Sequence, residues 1–227
     1  MRGALFSAAL ATAALVATVA QANCRVALLL AVDVSSSVDE GEHDLQRDGL
    51  AAALRHADVA DAILQGPGEV ALAIYEWSGR RQQRVVVDWT MMRGLGDIEA
   101  VAATVQAAPR SYSEFPTAMG YALGFGHTMM ERAPECRRKV IDLSGDGVTN
   151  DGFSPALTYK HFDFSDITVN GLAIKGAEAD VVPYFEGVVA RGPLSFVEVA
   201  QGYEDFERVM VRKLYRELSE MLVGWAE

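Results

Sequence analysis

Basic residues are in short supply: 20 Lys and Arg stand against 31 Asp and Glu in 227 residues, a net charge of −11. Binding to nucleic acid or to an anionic membrane rests on Lys and Arg, so this balance argues against both as partners. Histidine is scarcer still. His43, His56, His127 and His161 fall in segments that read as helices and share no ligand spacing, so no zinc site follows from them. The chain also lacks an internal repeat, a low-complexity linker and a second domain. Its tryptophans, Trp77, Trp89 and Trp225, read as packing residues rather than a sugar-binding platform.

The longest apolar stretch, Ala4 to Ala20, follows a single charge, Arg2, and ends in Ala20-Gln21-Ala22. It falls short of the ~20 apolar residues that a membrane span needs. Charge, apolar run and small residues in that order are the pattern of a secretory signal peptide. Residues 1–22 are therefore expected to be removed after Ala22, leaving residues 23–227 as one domain with no membrane span, in the periplasm or outside the cell. Loss of Arg2 takes the net charge from −11 to −12. The mature length suits one sizeable core. Two cysteines remain, Cys24 and Cys136, in a compartment where they can pair. Each precedes an apolar run by a few residues. If those runs are neighbouring parallel strands, the sulfurs share a sheet edge and form a disulfide; if not, they are two separate thiols.

Arg25 to Val32 is continuously apolar, the pattern of a strand buried on both faces. Asp39 to Ala57 carries Leu45, Leu50, Ala53 and Leu54 near helical spacing behind capping Ser and Asp residues. Glu69 to Trp77 and Arg84 to Trp89 read as an antiparallel pair joined by a polar stretch of hairpin length. Helices are expected over Asp97 to Ala107, Thr117 to Arg132, Ser154 to His161, Val181 to Ala190 and Tyr203 to Leu222. Strands are expected over Val140 to Leu143, Ile167 to Ile174 and Leu194 to Val199. This alternation specifies a three-layer α/β domain.

Chemistry concentrates in three places. Asp33-Val34-Ser35-Ser36-Ser37 follows the first strand, and in an extended segment residues i, i+2 and i+4 face one way, so a carboxylate and two hydroxyls converge. Such hard oxygen donors suit Mg²⁺, Mn²⁺ or Ca²⁺. Asp142-Leu143-Ser144-Gly145-Asp146-Gly147 sits at the carboxyl end of another expected buried strand, where open α/β sheets bind ligands. Thr117 supplies a hydroxyl at a helix start, beside Phe115-Pro116; alone, it reads equally as an N-cap. Tyr112, Glu114 and Phe115, just before it, are candidates for partner contact at the rim. Asp142 reads as a strand-end residue facing a polar neighbour.

Together these pieces resemble the metal-ion-dependent adhesion site (MIDAS) of von Willebrand factor A domains: Asp-x-Ser-x-Ser, then a Thr opening a helix, then Asp-Gly. The matching residues here are Asp33, Ser35, Ser37, Thr117 and Asp146. Gly145 departs from the pattern, which usually has Thr or Ser before the Asp. Ile167 to Ile174 and Phe206 to Leu218 resemble a proteobacterial branch of this superfamily, a domain of unknown function. The resemblance implies a doubly wound, mostly parallel six-stranded sheet in the order 3-2-1-4-5-6 with an antiparallel edge strand. It makes strands one and four neighbours, as a Cys24–Cys136 disulfide requires. It also implies a divalent cation, Mg²⁺ first, bound directly by the hydroxyls and partly through water by the carboxylates. The cation is then incompletely neutralised and keeps a position open for a carboxylate from a partner protein, and the last helix is expected to shift on binding. The function implied is a protein-binding module, not an enzyme.

Three other readings compete with this one. The loop Ser144 to Asp151 also resembles the late acidic loop of haloacid dehalogenase-type phosphatases, which need a second Asp two residues after the nucleophile. Ser35 occupies that place after Asp33. Asp142-x-Ser144-x-Asp146-Gly147 begins like an EF-hand, but its twelfth position is Phe153 where Glu is needed. The remaining rival is a metal-independent scaffold in an envelope assembly.

Overall fold

The computed structural model describes residues 24–223. The expected signal peptide with its cleavage site, and Trp225, lie outside the described residues. The first strand, β1 (Cys24–Asp33), is buried along its whole length. Val26, Leu28, Leu30 and Val32 face one apolar layer, and Ala27, Leu29 and Ala31 face the other. Two-sided burial explains why the run shows no polar alternation. Beside it lie β2 (Glu69–Trp77), paired parallel on one side, and β4 (Cys136–Gly145), paired parallel on the other. β3 (Gln83–Met92) is antiparallel to β2 at one edge, while β5 (Ile167–Ile174) and β6 (Val197–Ala200) continue parallel to the other edge. The six strands run β3-β2-β1-β4-β5-β6, the doubly wound order expected.

One face of the sheet is covered by α1 (Glu40–Arg55), α2 (Ala57–Leu64), α3 (Leu95–Ala107) and α7 (Phe206–Val223). The other carries α4 (Met119–Glu131), α5 (Pro155–His161) and α6 (Val181–Tyr184), which runs into a π turn at Phe185–Val189. α1 opens on a capping box: Glu42 N–H donates to Asp39 Oδ1 (2.8 Å) and Asp39 N–H to Glu42 Oε2 (2.9 Å). Four expectations need correction. His56 is not helical; its extended backbone (ψ 134°) separates α1 from an unforeseen α2, which it caps through Nδ1. β4 begins at Cys136, so its basic stretch is already strand. β6 begins at Val197, because Leu194, 78% exposed, has a left-handed φ of 57° that no strand continues through. α4 begins at Met119, two residues after Thr117.

At the amino end of the parallel strands Cys24 stands opposite Cys136, and the two form a disulfide across 112 residues of sequence. Nearby, the buried Arg25 guanidinium donates to the carbonyls of Ala62, Ile63 and Leu218, tying the ends of α2 and α7 to β1. Asp142 is not at a strand end. It lies within β4, opposite Asn170 on β5, and is buried in an ion pair with Lys213 of α7. Lys213 also lies 3.8 Å from Glu217, one helical turn on, and 4.5 Å from the centre of the Phe196 ring. Asn170 Nδ2 donates to Glu217 Oε1 (2.6 Å). Burial, and then the Asp142 carboxylate, raise the Glu217 carboxyl well above the usual range.

Candidate metal centre

β1 and β4 are adjacent strands whose chains leave in opposite directions, which makes the crevice at their carboxyl ends the switch point of the sheet. Asp33 ends β1 and Gly145 ends β4, so both acidic loops open there. Asp33 is fully buried. Its Oδ1 accepts from Ser35 N–H (2.8 Å), turning the backbone so that Ser35 and Ser37 Oγ lie 3.2 Å apart. Ser37 Oγ donates to Asp146 Oδ1 (2.7 Å), joining the two loops. Thr117 Oγ1 reaches Ser35 Oγ (3.3 Å) from the third segment. All five residues singled out in the sequence thus form one chain of contacts, with Thr117 and Asp146 only 3% and 1% exposed.

Thr117 is held by backbone rather than by a helix cap. Its N–H donates to Asn150 Oδ1 (2.9 Å), its carbonyl accepts from Asn150 and Asp151 N–H, and Ala118 N–H bonds the Ser78 carbonyl. The hydroxyl is left for Ser35. Gly145 has a local reason: a Cβ there would lie 2.9 Å from Asp33 Oδ2 and 3.5 Å from the Trp77 indole. The space that a Thr or Ser side chain would need is occupied by the Asp33 carboxylate.

Electrostatically the site is short of positive charge. Burial first, and the nearby Asp146 carboxylate second, push the Asp33 carboxyl up to about 8. Asp33 Oδ2 is buried without a hydrogen-bond partner among the described residues. Among them, no group of three or more His, Cys, Asp or Glu side chains gathers, so an ion here would rely on hydroxyls. The chemistry of the donors, two carboxylates and three hydroxyls, fits a hard dication.

Several contributors gave no signal in the sequence. Arg110 Nη2 donates to the carbonyls of Val34, Ser35 and Val38 and so shapes the β1–α1 loop. Gln46 Nε2 donates to the Asp33 carbonyl (2.9 Å). Tyr203, in the short 3₁₀ turn that precedes α7, has a buried hydroxyl; burial and then the Asp146 and Asp33 carboxylates hold its phenol above the ordinary value. Each acts through tertiary placement, which spacing along the chain does not encode. At the rim, Phe115 is 37% exposed and meets Tyr112 edge-on with ring centres 5.7 Å apart. The Phe115 carbonyl accepts from Ser36 N–H (2.8 Å), and Glu114 beside it is exposed.

Solved structures with the same fold include the PilB minor pilin from Streptococcus sanguinis, at 13% identity, covering 90% of this chain and 64% of that one with a TM-score of 0.68. A von Willebrand factor type A structure from Catenulispora acidiphila matches at 15% identity over 88% of this chain and 43% of that one, TM-score 0.61. Proximal thread matrix protein 1 from the mussel byssus, with a zinc-occupied MIDAS motif, matches at 14% identity over 86% and 48%, TM-score 0.57. The chain therefore spans between 43% and 64% of these proteins' lengths. No curated protein matches the sequence. The doubly wound sheet and its likeness to these structures make the fold that of a von Willebrand factor A domain, and a match over residues 23–222 places the chain in the family described as "Protein of unknown function (DUF1194)".

Proposed function

We propose that this chain is a divalent-cation-dependent protein-binding module of the adhesion type, exported from the cytoplasm, and not an enzyme. Asp33, Ser35, Ser37, Thr117 and Asp146 would hold the cation, with Mg²⁺ the best match to hard neutral oxygens and Mn²⁺ or Ca²⁺ as alternatives. The observation that carries the reading is the convergence of three distant segments on Ser35 and Ser37, beside a fully buried Asp33 whose Oδ2 has no hydrogen-bond partner among the described residues. A MIDAS-bearing structure with the same fold holding zinc supports a dication in this place.

When bound, the cation supplies a coordination position for a carboxylate oxygen of the partner. The residues do the rest. Asp33 and Asp146 set the charge, Ser35, Ser37 and Thr117 present hydroxyl oxygens, and Phe115 and Tyr112 offer apolar surface beside them. A phosphatase reading has less support, since Ser35 cannot take the acid/base part that a second Asp would.

Calorimetric titration of residues 23–227 with Mg²⁺, Mn²⁺ and Ca²⁺, alongside Asp33→Ala, tests the proposal. Saturable binding that disappears in the variant is expected. Absence of binding at millimolar metal would overturn it and favour the scaffold reading.

A further inference from the structure

Glu76 is a buried carboxylate outside the five-residue set, 6% exposed and placed on β2 opposite Val32, one residue before Asp33. Burial acts to raise its carboxyl, but His43 and the Ser111 N–H more than offset this and hold it below the usual carboxylate range. The two donors come from different parts of the chain. His43 Nε2, in α1, lies 3.3 Å from Glu76 Oε1, while the Ser111 N–H donates to Oε2 (2.9 Å). A pair with His43 alone would only fasten α1 to the sheet. The second oxygen reaches the connection between α3 and α4.

That connection, residues 108–118, has no regular structure. Among the described residues, Ser111 N–H is the one backbone donor of residues 109–116 that has an acceptor. Glu76 thus pins the first half of the stretch, as Ser36 N–H and Ser78 Oγ pin the Phe115 carbonyl in the second. Directly before Ser111 stands Arg110, whose Nη2 holds the carbonyls of Val34 (3.1 Å), Ser35 (3.0 Å) and Val38 (2.7 Å). Those three carbonyls belong to the loop that presents Ser35 and Ser37. A guanidinium can hold a loop only as firmly as its own backbone is held.

We propose that Glu76 is a positioning residue of the cation site: by fixing Ser111 it sets Arg110 against the β1–α1 loop, and through that loop it sets the Ser35 hydroxyl. The inference rests on the metal-binding reading above. Glu76 is not itself a ligand. It supplies a buried acceptor of fixed direction, kept in place by His43, and the cation feels it only through the backbone it anchors.

The test is Mn²⁺ affinity in residues 23–227. Glu76→Leu, which removes the acceptor, is expected to weaken binding by about tenfold, the scale of lost support behind a metal ligand. Glu76→Gln, whose amide oxygen can still accept from Ser111 N–H, should recover most of that loss although it carries no charge. Arg110→Met should weaken binding as Glu76→Leu does, and the double variant should bind no more weakly than Arg110→Met alone, because both act along one route. Equal losses in Glu76→Gln and Glu76→Leu would mean that Glu76 acts through its charge, and additive losses in the double variant would mean a separate route; either overturns the proposal. Wild-type affinity in Glu76→Leu, with binding still abolished by Asp33→Ala, overturns it while the metal site stands. No Mn²⁺ binding by the wild type would overturn both. The anchor is also read without any variant: the Ser111 amide should be protected from hydrogen exchange in the cation-free protein, and exchange as fast as in an open loop would overturn the proposal even if Glu76→Leu does not fold.

Discussion

Replacing Lys213 with Met should be one of the most damaging single changes in the domain, although it lies on the last helix and outside the metal site. Lys213 is the only cation that meets Asp142 in an ion pair among the described residues, and both side chains are almost fully buried. Met reproduces the aliphatic stem but leaves the Asp142 carboxylate without its countercharge, beside a Glu217 already raised by burial. Breaking a buried pair from one side costs about 3–5 kcal/mol. For a domain of this size each kcal/mol moves Tm by roughly 2–4 °C, so a drop of roughly 6–20 °C follows. Urea unfolding with an unchanged slope would attribute the loss to native-state stability. Adding Asp142→Asn to Lys213→Met removes the stranded charge and should recover part of the loss. A loss under about 1 kcal/mol, the scale of an exposed pair, would refute the reasoning and mean that water reaches Asp142.

The same cluster sets a pH dependence. Glu217 holds its proton more tightly in the folded chain than in the unfolded one, so its contribution is complete in acid and is lost as pH rises through its raised folded value. Wild type should therefore lose stability relative to Glu217→Gln between acid and mildly alkaline pH in chelator-treated samples; a flat difference curve would count against this. At the site, Gly145→Ala sets a Cβ against the Asp33 carboxylate. The overpacking is expected to cost about 1–3 kcal/mol and to weaken Mg²⁺ binding. Calorimetry showing wild-type affinity would mean that Asp33 can move aside freely.

The parts of the molecule that were legible in the sequence are those whose physics is local. β1 announced itself because two-sided burial leaves an uninterrupted apolar run, and Asp33, Ser35 and Ser37 did so because alternate residues of an extended segment share a side. α1 was marked by helical spacing behind Ser and Asp residues suited to capping, of which Asp39 is the cap. What escaped depends on distant placement. Thr117 could be picked out by type, but the backbone bonds to Asn150 and Asp151 that aim it are not written around residue 117. Asp142 looked like a strand end because the small polar pair Ser144-Gly145 concealed that β4 runs on past Leu143 to Gly145. Its partner, Lys213, comes from α7, an element far from β4 in sequence, so no local pattern links the two. α2 was hidden because it is short and follows α1 with only His56 between them.

The disulfide at the opposite pole has a mechanical consequence. Tension entering at Asp33 and leaving through the chain before Cys24 would run lengthwise down β1, whose hydrogen bonds to β2 and β4 would be loaded in shear and have to yield together. Cys24 is covalently joined to Cys136 at the point where that tension would exit, so β4 would bear it alongside β1. With the bridge intact, peeling β1 from its amino end would be blocked at the first residue; once reduced, the central strand could be unzipped bond by bond from that end.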